Sequence, residues 1–298
     1  MIIPPYLKSG NTIALIAPSR FVESENIDAF KIWAESQNWN VLESPNLYSR
    51  ENQFAGSQSL RIEDISWALN HSKIKAVFAC RGGYGSMPLL ESLKTINFTK
   101  NPKWWIGFSD VTALHFLFQK QGLSSIHGPM PFQFNKGDNI SIENFNHLSL
   151  TLQGKKSIIH KVTLNDGFNL RDFSGELWGG NLSIVFAMLS ANIFPDFTNK
   201  IIFLEDLDEY YYHIDRMIVA LKLRGVFEQC KGILIGSMID MHDNAIPFGK
   251  TTTEIVLDAA KDYNVPIIFN VPCGHGPKNI ALKMGMNCTF DGSILFQD

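Results

Sequence analysis

The chain has 298 residues, 45% of them apolar and only 18% charged, with 26 basic against 29 acidic side chains for a net charge of −3. That length suits two domains with ample core. The balance excludes a disordered chain and a global basic field for nucleic acid. The longest unbroken apolar run is six residues, Ile184 to Leu189, against about 20 for a membrane-spanning helix. Met1-Ile2-Ile3-Pro4-Pro5 has neither the basic nor the apolar region of a secretory leader. The expectation is a cytoplasmic protein with no membrane and no nucleic-acid partner. Cys80, Cys230, Cys273 and Cys288 lie far apart with no C-x-x-C pair. They read as small buried hydrophobes in a reducing compartment, not as a zinc site or disulfide framework.

The first 130 residues alternate strand and helix signals. Thr12 to Ala17 is a short buried strand closed by Pro18. Ser24 can cap a helix whose apolar face is Ile27, Phe30 and Ala34. Asn40 to Glu43 reads as a strand, and Gln58 to Asn70 as a helix with Ile62, Ile65 and Leu69 on one face. Lys75 to Cys80 is a strand that runs into Arg81-Gly82-Gly83-Tyr84-Gly85. Trp104 to Phe108 is a strand, Asp110 to Gln121 a helix, and Ser125-Ile126-His127 leads into Gly128-Pro129. This alternation predicts an α/β domain with a parallel, doubly wound sheet. From Pro131 to Phe173 the chain is rich in Asn, Ser and Lys and reads as a connector with short strands. A second α/β unit follows over 174–298. It has a helix from Leu182 to Ala191, a strand Lys200 to Leu204 ending in Glu205-Asp206, and a helix with Ile214, Met217, Ile218 and Leu221 on one face. Then come a strand Gly232 to Gly236, a helix Thr252 to Asp262, a strand Pro266 to Phe269, and short strands split by Asp291-Gly292.

Five segments can carry chemistry. In Gly107-Phe108-Ser109-Asp110 a serine stands where a strand passes into a helix. Such a turn lifts the hydroxyl and aims helix N–H groups above it. Ser109 as a plain helix cap is the competing interpretation. The glycines of Arg81 to Gly85 allow close backbone approach and can nest an anion or oxyanion. A dinucleotide fingerprint does not fit, because Pro88 occupies the third glycine position. Glu205-Asp206-Leu207-Asp208-Glu209 sets carboxylates at a strand end. They can hold a metal with His213, cap the next helix, or orient a histidine. His275 lies between two glycines, uncrowded as a general base requires. His115 reads as a packed helix residue, and His127 as a lining residue of the same cleft. Gly179-Gly180-Asn181-Leu182 opens a helix whose N–H groups and Asn181 amide can take a carboxylate, or simply start the helix.

In combination, R-G-G-Y-G, G-F-S-D, H-G-P, L-E-D, G-G-N-L and G-H-G-P resemble the LD-carboxypeptidase family of serine peptidases, over about Ala14 to Gly285. That family includes muramoyl-tetrapeptide carboxypeptidases and microcin C immunity peptidases. The resemblance implies a Rossmann-like N-terminal domain, a mixed, partly barrel-like C-terminal domain, and an active site between them. It implies Ser109 as nucleophile, Glu205 and His275 as its triad partners, and backbone N–H groups of Gly83 and Asp110 as oxyanion hole. Arg81, Tyr84, His127 and Asn181 are the substrate-binding candidates. No metal and no cofactor are implied. The implied reaction removes a terminal D-alanine from murein tetrapeptides during peptidoglycan recycling, by a cytoplasmic homodimer. The alternative is cleavage of peptidyl or aminoacyl nucleotide analogues, with Trp178 as a conceivable aromatic clamp. Lys283 stands where the family commonly has an apolar residue or proline.

Overall fold

The computed structural model describes residues 1–134 and 139–297. Two compact units divide the chain. The first is Met1–Lys155 with Ile280–Gly285, and the second is Lys156–Asn279 with the residues from Met286 onward.

In the first unit, strands β1 (Thr12–Ile16), β2 (Asn40–Glu43), β3 (Ile74–Ala79), β4 (Trp104–Gly107) and β5 (Ser125–His127) pair in parallel in the order β2-β1-β3-β4-β5. Every residue of β1 and β4 is buried, as expected when helices cover both faces of a parallel sheet. Ile65, Leu69, Val77, Phe98, Trp105 and Phe118 share one core cluster. Phe30, Trp33, Phe78 and Phe145 make ring contacts in another part of the core. Winding reverses between β1 and β3, and ligands of such sheets bind outside the strand C-termini at that point. A sixth strand, Leu282–Met284 (β12 along the chain), adds antiparallel to β5 and opposes Leu282 to His127. It brings Lys283 into the sheet fully buried.

The expected connector over 131–173 is corrected. Asn139–Leu152 is a helix of the first unit with Phe145, Leu148 and Leu152 wholly buried. Their i, i+3, i+7 spacing is hidden in the sequence because Ser141, Asn144, Ser149 and Thr151 are buried beside them. Residues 156–173 belong to the second unit, and residues 135–138 of the stretch lie outside the described residues.

The second unit is built on a curled, half-barrel sheet. Its strands are β6 (Ser157–Lys161), β7 (Gly167–Phe168), β8 (Phe173–Asn181), β9 (Lys200–Leu207), β10 (Gly232–Ile239), β11 (Ile267–Ile268), β13 (Asn287–Phe290) and β14 (Ile294–Gln297). They run in the order β6-β14-β13-β8-β9-β10-β11-β7. β8 to β11 are parallel, and antiparallel strands extend both edges. The helix Tyr211–Leu223 buries Ile214, Met217, Ile218 and Leu221, the face read from the sequence.

Candidate active site

In the first unit the turn after β4 departs from ordinary backbone. Phe108 is extended, and Ser109 then takes φ +60°, the left-handed region. For a residue with a Cβ that costs on the order of 1–2 kcal/mol. A 3₁₀ turn, Ser109–Val111, leads directly into the helix Thr112–Lys120. The cap position is Phe108, and the Ser109 hydroxyl makes no cap bond among the described residues. The cap interpretation of Ser109 therefore falls. Its half-buried hydroxyl has no hydrogen-bond partner among the described residues. A strained serine on a strand–turn–helix is the geometry of a nucleophile elbow.

Asp110 ties this turn to its neighbours. The carboxylate is buried, and Oδ2 accepts from the Ser19 hydroxyl at 2.5 Å and the Ser86 N–H at 2.7 Å. Ser19 follows β1 and Ser86 ends the glycine loop, so one side chain pins three segments. The buried Arg61 guanidinium donates to Pro18 O and Gly85 O. Gly82 packs against the Ser109 turn, where an added Cβ would lie 3.1 Å from Ser109 Cβ and 3.3 Å from its Oγ. Gly83 has φ +104° and is exposed. Its N–H and that of Asp110 enter no hydrogen bond among the described residues.

His115 is a strut beneath the turn. Its Nε2 lies 2.8 Å from Gly107 O and its Nδ1 2.8 Å from Ser125 Oγ. A carbonyl only accepts, so Nε2 carries the proton and Nδ1 accepts from the serine. Burial pushes its pKa down to about 4, which keeps the ring neutral. The His127 ring is wholly buried, 5.6 Å from Phe108 and 6.2 Å from His115. Tyr84 is exposed against Phe54. Arg81 is half-buried and stacks over Phe132.

The second unit gathers its polar groups at the C-terminal ends of β8, β9 and β10. Glu205 is fully buried, and its Oε2 accepts from His275 twice, from Nδ1 at 2.7 Å and from the main-chain N–H at 3.1 Å. The carboxylate therefore fixes the proton on Nδ1 and leaves Nε2 as the basic nitrogen of the neutral ring. Glu205 Oε1 is buried with no hydrogen-bond partner among the described residues. Gly274, at φ +117°, permits this approach. A Cβ there would stand 2.5 Å from both Glu205 Oε2 and Ser237 Oγ. Ser237 Oγ accepts from the Gly276 N–H, and Asn279 Oδ1 from the Gly274 N–H, clamping the loop on both sides of the histidine. No sequence pattern marked Ser237, Ser19 or Arg61, because each acts on a partner at least 24 residues away, and Asn279, which acts five residues back on Gly274, carries no motif of its own.

Asn181 caps the helix Leu182–Met188 by accepting from Ile184 N–H, and it donates to Asp206 Oδ1 at 2.8 Å. Asp206 also accepts from the Ser183 and Leu207 N–H groups. Burial, with the charge of Glu205 second, raises its pKa to about 7. The remaining carboxylates pair separately, Asp208 with His242 and Glu209 with His213. No group of three metal-ligating side chains forms among the described residues. Trp178 is buried with its N–H donated to Glu176, which removes it as a clamp.

Two family models match the chain. The LD-carboxypeptidase N-terminal domain covers residues 13–128, and the LD-carboxypeptidase C-terminal domain covers residues 174–290. The murein tetrapeptide carboxypeptidase of Pseudomonas aeruginosa is 28% identical over 295 residues, spanning 95% of this chain and 94% of that protein. The crystal structure of muramoyltetrapeptide carboxypeptidase from Oxalobacter formigenes superposes with a TM-score of 0.86 at 26% identity, covering 96% of this chain and 98% of that one. The microcin C7 self-immunity protein MccF, at 19% identity and a TM-score of 0.84 over 100% of this chain and 99% of that one, shares the fold.

Proposed function

The chain belongs to the LD-carboxypeptidase family and is a serine-type carboxypeptidase, and from that premise we propose that it removes the terminal D-alanine of murein tetrapeptides through Ser109, His275 and Glu205. In this reading His275 Nε2 takes the Ser109 proton as the oxygen attacks the scissile carbonyl. Glu205 holds the tautomer and stabilises the imidazolium that forms. The Gly83 and Asp110 N–H groups receive the negative oxygen, each such donor typically contributing about 3 kcal/mol of barrier lowering. The imidazolium then protonates the departing amine, and water, activated by the same ring, releases the peptide acid from the serine ester. Side chains and water suffice for every step.

The observation that carries the reading is Ser109 itself, a left-handed serine with an unengaged hydroxyl between a strand and a helix. Strain of that kind persists where the surroundings hold it. Asp110, Gly82 and His115 provide that hold. Action in the cytoplasm on recycled wall fragments is part of the proposal. It is supported by four buried free thiols that suit a reducing compartment, and cell fractionation checks it. A homodimer in solution is also proposed from the family resemblance, and light scattering checks it. The deciding experiment is mass spectrometry of a purified murein tetrapeptide after incubation. Loss of one alanine with wild-type protein and none with Ser109→Ala is expected. Full hydrolysis by the Ser109→Ala protein would overturn the assignment.

A further inference from the structure

An enzyme that cuts only the last bond of a peptide must recognise the carboxylate that ends it. In the residue being released, that carboxylate carbon lies three bonds from the attacked carbon, a span of about 3.8 Å at most. Its receptor must therefore sit immediately beside the nucleophile.

Two cations of the first unit border the glycine loop that packs on Ser109. Arg20 follows β1 and Arg81 follows β3, the strands between which the sheet reverses its winding. The Arg20 main-chain N–H donates to Gly82 O at 3.4 Å, and Arg81 precedes Gly82 in the chain. Gly82 is the residue packed on Ser109 Cβ and Oγ. The Arg20 stem crosses Gly83 so closely that a Cβ there would lie 2.5 Å from its Cδ and 2.7 Å from its Nε. Glycine at 83 thus seats the arginine as well as freeing the backbone. The Arg81 guanidinium is centred 4.3 Å over the Phe132 ring and donates from Nη1 to Phe21 O at 3.4 Å. Stacking of this kind holds a guanidinium in place while leaving other donors open.

Neither arginine forms an ion pair among the described residues. The nearby carboxylates are engaged elsewhere, Asp110 with Ser19 and Ser86, and Glu23 facing Arg50 at 3.8 Å. The two guanidinium groups feel each other: after burial, the charge of Arg20 is what lowers the pKa of Arg81. Paired cations without a counter-ion are destabilised in the free protein, and an arriving anion relieves that repulsion. Planar guanidinium groups also match the two oxygens of a carboxylate.

We propose that Arg20 and Arg81 together form the receptor for the terminal carboxylate of the substrate and so confine cleavage to the chain end. The inference rests on the reading of Ser109 as a peptidase nucleophile. The test compares a murein tetrapeptide ending in a free carboxylate with the same peptide ending in an amide. Wild-type KM should be about 10- to 100-fold lower for the acid, the range for a charge-assisted hydrogen bond. Arg20→Ala and Arg81→Ala should raise KM for the acid by that factor, move kcat less, and leave the amide within about twofold. Arg81→Lys should recover part of the preference. Arg20 is exposed, so Arg20→Ala tests the receptor without endangering the fold. Calorimetry on Ser109→Ala protein reads the same preference without turnover, and adding Arg20→Ala should abolish it. Variants that keep the wild-type preference, or that weaken acid and amide alike, overturn the receptor. Serine-dependent hydrolysis of acid and amide at equal KM overturns it while leaving the peptidase standing. Full hydrolysis by Ser109→Ala instead overturns the peptidase reading, and the calorimetric preference then decides the receptor by itself.

Discussion

Replacing Glu205 with glutamine probes the histidine pair with a change of one atom. In the native site Oε2 receives both the ring Nδ1–H at 2.7 Å and the His275 main-chain N–H at 3.1 Å, in full burial. The amide has two orientations and neither reproduces this. With its oxygen on His275, its NH₂ takes the place of Oε1, which has no partner, and an unpaired buried donor costs about 1–3 kcal/mol. With its nitrogen on His275, it opposes the main-chain N–H and drives the ring proton to Nε2, where it blocks acceptance from serine. Both orientations lose the negative charge that stabilises the imidazolium. A charge-assisted bond of about 1.5–3 kcal/mol sets the lower bound, roughly 10-fold to 100-fold in rate. Wholesale loss of the right tautomer sets the upper, about 10⁴-fold. The expected fall in kcat is therefore between about 10- and 10⁴-fold, measured by single turnover on a murein tetrapeptide. Stability should change by no more than about 2 kcal/mol, since a buried, half-satisfied carboxylate is removed together with its bonds. A folded Glu205→Gln protein within threefold of wild-type kcat would refute the reasoning.

Asp206, raised to about 7 by burial and then by Glu205, contributes stability that is complete below the unfolded pKa near 4 and is lost as pH rises through 7. Burial lowers His115 to about 4, so its share is complete above about 6.5 and is lost as pH falls through 4. The two oppose each other, and Asp206→Asn should unmask stability that climbs with pH between about 4 and 6.5, by up to about 1.4 kcal/mol per unit in urea unfolding; an unchanged pH dependence refutes the assignment. Gly274→Ala forces a Cβ against Glu205 and Ser237 at φ +117°, and should lower kcat at least about 100-fold while costing about 1–3 kcal/mol in thermal unfolding. His115→Phe removes the bonds to Gly107 O and Ser125 Oγ, and should cost about 2–4 kcal/mol, with a drop in kcat as the serine turn loosens; a variant as stable and active as wild type would show that the strut is dispensable.

What could be read from the sequence follows the range over which each interaction acts. Strands β1, β3 and β4 are short, mostly apolar runs, and the helix Tyr211–Leu223 has a clean apolar stripe, so local hydrophobic pattern alone located them. The helix Asn139–Leu152 escaped because its buried face mixes Phe145 and Leu148 with Asn144 and Ser149. Its polar residues are buried by tertiary context that no local pattern encodes. At the site, Gly274 before His275 was legible as freedom from crowding, and its steric reason, the approach of Glu205 Oε2, needed coordinates. Asn181 shows the converse. A helix start and a carboxylate ligand look alike in sequence, and the bond to Asp206 appears only in the fold.

Ser109 is the sharpest case. As residues, G-F-S-D fits a cap as well as a nucleophile, and a cap would have extended backbone and a side chain bonded to the helix. The left-handed φ and the missing cap bond exclude that, and both are imposed from outside the segment. Gly82 leaves room beside the serine, Asp110 binds the turn to Ser19 and Ser86, and His115 holds the carbonyl of Gly107 two residues upstream. Strain at one residue is sustained by neutral or fully buried groups that have no need of substrate. If Ser109 is the nucleophile, as proposed, its hydroxyl is set in place before a peptide arrives, and the ordering cost falls on folding rather than on the chemical step.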